Sequence, residues 1–289
     1  MQFDIFEASR DTGLRNDVLN ALEAFDAPAA HAALAELAAA FPADASLPDL
    51  HCLLAVLPQR DGSPFASHAA VAAARQQLVQ VEASSTSMFG KQHGRTWLAR
   101  LWRALALRAA RLPFSAAESD NHAAPLYLRA GEWQAASDAV AGIASWRRIP
   151  APLGWMAEAQ YRLQGREAAW PLLCELAWMV PKHADTLLRR LADPELNALL
   201  KKFHAMFDGA GDVTDLAWFP AWALTEEAKL ASWLHDMQPV RDSAAERAAH
   251  TLLELLSLER RGQHQAVLER RKRLQGLQSS LYAAYMKTR

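Results

Sequence analysis

β-Branched residues are what this chain has least of: three isoleucines and ten valines stand among 289 residues in which Leu and Ala dominate. Few residues suited to a pleated surface, beside many strong helix formers, predict an all-α fold. Gly (12) and Pro (14) are also few and evenly placed, which excludes a collagen-like or long disordered tract. The two cysteines, Cys52 and Cys174, lie far apart in apolar contexts. They read as small buried hydrophobes in a reducing compartment, not as a disulfide. The start, Met-Gln-Phe-Asp-Ile-Phe-Glu, carries acids where a secretory signal needs a basic end. No apolar run approaches the ~20 residues of a membrane span, so a soluble, cytoplasmic protein is expected.

Motifs of chemistry are missing as well. There is no Gly-x-Ser-x-Gly elbow and no His-Glu-x2-His pair. Gly209-Ala210-Gly211 lacks the third glycine of a dinucleotide fingerprint, and Gly90-Lys91 lacks the following Ser/Thr of a phosphate loop. Glu246-x3-His250-x3-Glu254 shares one helical face, and His204 with Asp208 repeats that spacing. A divalent ion needs further donors from other helices. No catalytic residue, metal or cofactor is expected, and the chain is not read as an enzyme. A net charge of -1 argues against a dedicated nucleic-acid binder without excluding one.

What is present is helical punctuation. Leu14, Val18, Leu22 and Phe25 follow Asp11 and Thr12, either of which could cap a first helix. Asp26 and Pro28 open a second, ended by Pro42; others are expected near 48–57, from Ser63-Pro64 to about Glu82, and from Thr96 to Leu112. Residues 84–94 hold small polar residues and two glycines and read as a linker or loop. The expected organisation is therefore helical hairpins over 1–83, the linker 84–94, and a helical-repeat region over 95–289 with capping helices at its end. Asp193-Pro194 starts a helix, Thr225 precedes another, and Ser243-x2-Glu246 is a capping box for a long helix that stops at Gly262. A final helix carries Arg270 to Arg273.

One pattern recurs. Ala123-x3-Tyr127-x3-Gly131-x3-Ala135 returns 34 residues later as Ala157-x3-Tyr161-x3-Gly165-x3-Ala169. With Ala136 at a small position and Pro150 and Pro181 near closing positions, residues 117–182 resemble two tetratricopeptide units. Pro125 shortens the leading helix of the first, and Trp170 fills a small position of the second. The resemblance implies an α-solenoid of helical hairpins that binds a peptide or partner helix on a concave face, through Tyr127, Arg129, Trp155 and Tyr161.

Two further surfaces are candidates. Between Ala83 and Ala117 there is no acid, and Lys91, Arg95, Arg100, Arg103, Arg108 and Arg111 gather there. The helix 95–111 is thus either a basic face for an acidic partner, nucleic acid or an anionic surface, or a solvated face paired with neighbours. Arg100, Arg103 and Arg111 should be exposed and free of acids in the first case. Trp218-Phe219-Pro220-Ala221-Trp222 is either an aromatic anchor for a partner, through Trp218 and Trp222, or a plug for the helical stack. The reading that emerges is an interaction or scaffold module; a helical enzyme with scattered catalytic residues is the alternative.

Overall fold

In the computed structural model, residues 3–57 and 62–288 are described. All regular structure among them is helical, with no strand. By compactness the chain divides into two units, Met1–Ala139 and Val140–Arg289.

The first unit begins with α1 (Phe3–Glu23) and α2 (Ala27–Ala40), which pack as a hairpin. Here α1 starts eight residues before Asp11, so neither Asp11 nor Thr12 caps it, and Phe3 to Phe6 lie in its first turns. Asp26 does cap α2, accepting from the Ala29 N–H at 3.0 Å. The carbonyls left over at the end of α1 are met by side chains of a later helix. Trp97 Nε1 donates to Leu22 O and Arg100 Nη1 to Glu23 O, both at 3.0 Å. Phe25 completes that joint, stacked 5.7 Å from Trp97 with the Arg100 guanidinium 3.8 Å above its ring.

α3 (Leu47–Ala55) and α4 (His68–Gln80) pack against α5 (Glu82–Ala109). Residues 84–94, expected as a linker, are helical except at Gly90 (φ 75°, ψ 163°), where α5 breaks. Glycine reaches this backbone and other residues avoid it, so the sequence signal was correct about a break and misleading about its length. Beyond it the two arms meet closely. Ser85 Oγ donates to Gly94 O at 3.0 Å, and a Cβ on Gly94 would stand 2.7 Å from Ser85 O. A 3-10 segment (Ala116–Asn121) then leads to α6 (Ala123–Ala130), which packs along α5. Gly131 closes α6 in a Schellman turn: Gly131 N–H donates to Leu128 O and Glu132 N–H to Tyr127 O, at 3.2 and 3.0 Å. The point of division falls within α7 (Trp133–Ala141).

The second unit opens with α8 (Pro150–Gln164) and α9 (Arg166–Met179), a hairpin closed at Gly165. Gly131 and Gly165 both end a helix with positive φ, but Gly165 has ψ -168° against 13° at Gly131, so the two turns differ in geometry. Pro150 and Pro181 are first residues of α8 and of α10 (Pro181–Leu191), where the missing N–H costs nothing. Asp193 caps α11 (Pro194–Met206). A 3-10 segment (Val213–Trp218) runs into α12 (Phe219–Glu226), so the Trp218 to Trp222 aromatics are mostly helical and Thr225 lies near the end of that helix, not before one. After a 3-10 turn (Ala228–Trp233) come α13 (Ala244–Arg260), α14 (His264–Leu277), which carries Arg270 to Arg273, and α15 (Ser279–Lys287). Ser243 caps α13 and Gly262 closes it, as the sequence implies. α9 is the core helix: every residue from Ala169 to Met179 is buried, and Trp170 meets the edge of Phe219 of α12 at 5.9 Å between ring centres.

Candidate functional site

The break at Gly90 makes a groove. The first arm of α5 supplies Glu82 and Thr86, the second Arg95, Ala99 and Trp102, and the far wall is the Gly131 turn with Trp133. Its volume is about 660 Å³. Arg129, in the last turn of α6, bridges the two sides: its Nη1 donates to Glu82 Oε1 at 3.1 Å while its guanidinium lies 4.8 Å from the Trp102 ring. Both members of that ion pair keep nearly half their side-chain surface in water, 46% for Arg129 and 49% for Glu82. Arg95 is exposed and has no partner among the described residues. Trp102 itself is buried beneath Arg129.

The start of α6 is set by His122. Its Nδ1 accepts from the Ala124 N–H at 3.2 Å, which requires an unprotonated nitrogen. Burial, and secondarily the charge of His68, push the imidazole down from 6.5 to about 4. The helix N-terminus adds to the preference for the neutral form.

The basic helix resolves into separate jobs. Arg103 pairs with Glu132 at 3.1 Å, and so is not the free cation expected. Arg100 caps α1, and Arg108 donates to Ser63 O at 2.8 Å with its guanidinium 4.0 Å from the Phe65 ring. Arg111 is exposed without an acidic partner among the described residues. Of the residues expected to bind a partner, Arg129 alone lines the groove. Tyr127 and Trp155 are each 8% exposed and Trp222 2%, so their rings are spent on packing inside the protein. Tyr161 is half-buried and donates to Asp193 Oδ2 at 2.8 Å, an internal brace to the α11 cap. Trp218 is half-buried on Phe207, at 6.2 Å between ring centres.

The sequence reading missed Glu82, Trp102 and Trp133 as neighbours and Gly90 and Gly94 as the residues that shape the groove. Two glycines four apart, inside a stretch otherwise able to stay helical, were the available signal. Among the described residues no group of three or more His, Cys, Asp or Glu is placed to hold a metal ion. Glu246, His250 and Glu254 are engaged separately, with backbone amides, the Trp178 ring and Arg270. No described helix is long and apolar enough to cross a membrane. No family model, curated protein or solved structure matches this chain.

Proposed function

We propose that this protein is an interaction module whose first unit grips an acidic peptide segment in the α5–α6 groove. The observation that carries the reading is an unpartnered Arg95 beside an Arg129 that is held only by an exposed ion pair and an aromatic face. An exposed pair is worth about 0–1 kcal/mol, so a ligand carboxylate can take Glu82's place at Arg129 at little cost. Arginine then offers a bidentate fork. Trp133, half-buried, supplies apolar surface for a neighbouring hydrophobic side chain, giving the arrangement the charged rim and aromatic wall of a peptide site.

The tetratricopeptide-like reading of residues 117–182 belongs with this proposal, since arrays of helical hairpins present such grooves. So does a cytoplasmic setting, where thiols stay reduced; Cys174 is buried as a small hydrophobe, whereas Cys52, expected to be buried too, is exposed. A nucleic-acid role is disfavoured because Arg100, Arg103 and Arg108 are spent on bonds inside the first unit.

Selection of a displayed random-peptide library on the immobilised protein tests the reading. Enriched peptides are expected to combine Asp or Glu with a neighbouring Leu, Phe or Trp. Arg95→Glu and Arg129→Glu should each weaken them at least tenfold, about 1.4 kcal/mol, with unchanged thermal unfolding. No enrichment, or enriched peptides indifferent to both variants, would refute it.

A further inference from the structure

We infer that the second unit carries a separate site for a cationic side chain, arginine above all, presented by a peptide. The α8–α9 hairpin leaves a cleft of about 580 Å³, closed by Trp146 on one side and by the segment after the 3-10 turn on another. Its floor is apolar, with Met156, Pro171 and Leu172 buried. Trp146 and Trp233, both half-buried, line it; the Arg166 guanidinium already lies 5.3 Å from the Trp233 ring centre, so Trp146 offers the ring surface on which a ligand guanidinium can lie.

The wall is built, not incidental. Residues 234–243 form no helix or strand, yet two carboxylates, each 1% exposed, hold them in place. Glu175 accepts from the Gln238 N–H at 2.7 Å and from the Arg147 fork at 2.6 and 2.7 Å. Glu246 accepts from Val240 and Arg241 N–H groups at 2.6 and 2.9 Å. Arg147 also donates to the Asp236 carbonyl at 2.7 Å, and Arg148 to that of Pro239. Dry carboxylates carry a desolvation cost, and what they fix here is the position of the chain that presents His235 and Asp236 at the cleft.

The charge left over is negative. Glu175 neutralises Arg147, while Glu167 has no partner among the described residues and exposed Asp236 is paired with His235 at 3.1 Å. An anionic ligand would leave these carboxylates repelled, and a bare metal ion would find no converging set of ligands among the described residues. A planar cation on an apolar stem uses the Trp146 ring, the carboxylates at the rim and the apolar floor at once.

The test is calorimetric titration of the full chain, at low salt, with acetyl-Ala-Arg-Ala-Arg-Ala-amide and with the same peptide carrying citrulline, the uncharged isostere. The arginine peptide should bind at least tenfold tighter. The double variant Glu167→Gln/Asp236→Asn, which alters only exposed side chains, should remove at least tenfold of that affinity, as should Trp146→Ala. Arg95→Glu, in the groove of the first unit, should change nothing, so this site and the acidic-peptide groove stand or fall separately. Equal binding of the two peptides, no saturation by about 1 mM, or indifference to the double variant overturns the inference.

Discussion

At the scale of single residues, His122 is where chemistry and folding meet. Its folded-state pKa of about 4 lies below the ordinary 6.5, so the unfolded chain takes up the proton first. The neutral imidazole therefore stabilises the fold fully above pH 6.5, and that contribution is lost as pH falls toward 4. Carboxylates act in a lower window. Burial raises the Asp44 pKa, but hydrogen bonds from Arg15 and Ser46 outweigh it and hold the group below 3.8, so its contribution fades only under stronger acid. Asn at position 122 keeps a capping oxygen that does not titrate in this range. Urea unfolding of His122→Asn should show a flatter dependence between pH 6.5 and 4 than the parent chain; an identical slope would mean that His122 is protonated normally in the fold.

At the scale of elements, the two glycines of α5 make opposite demands on the chain. Gly90 needs a backbone conformation that side chains avoid, and Gly94 needs the absence of a Cβ because Ser85 stands 2.7 Å from where one would be. Gly94→Ala should cost about 1–3 kcal/mol by overpacking, and Gly90→Ala a similar amount by strain. Gly276, within α14 and with nothing inside 4 Å, is the control: Ala there should be neutral or stabilising by up to about 1 kcal/mol. Chemical denaturation of the three variants checks the order, and equal effects at Gly94 and Gly276 would remove the close approach from the argument. These positions also show what was legible in the sequence. Caps and stops at Asp26, Asp193, Ser243 and Gly262 are local hydrogen-bond arrangements, so a few adjacent residues sufficed to place them. The start of α1 was missed because Asp11 and Thr12 look like caps wherever they stand, and only packing decides whether a helix runs through them. The groove was invisible for a related reason. Glu82 and Arg129 are 47 residues apart and meet because α6 lies along a broken α5, a tertiary fact with no local signature. Burial misled in the other direction: Tyr127, Trp155 and Trp222 have the chemistry of binding residues, and packing uses it.

For the whole molecule, a formal charge of -1 conceals a segregated distribution. The acid-free stretch from Ala83 to Ala117 supplies Arg95 to the first unit's groove, beside Arg129, while the cleft of the second carries Glu167 and Asp236. Most ion pairs among the described residues leave at least one partner well exposed, as in Arg103–Glu132 and Arg129–Glu82. Arg147–Glu175 is an exception, with side chains 20% and 1% exposed. Exposed pairs each contribute about 1 kcal/mol or less and are screened beyond about 3 Å at 1 M salt. The dry pair is hardly screened, and the apolar core not at all. Salt therefore separates binding from stability in this protein. Going from about 0.05 to 1 M NaCl should change the unfolding free energy by no more than about 1 kcal/mol, while acidic-peptide binding in the first unit weakens at least tenfold. Denaturant melts and calorimetric titrations at the two salt concentrations measure the two quantities on the same sample. A parallel loss of both would mean that Arg95 and Arg129 serve the fold, leaving no exchangeable charge for a ligand.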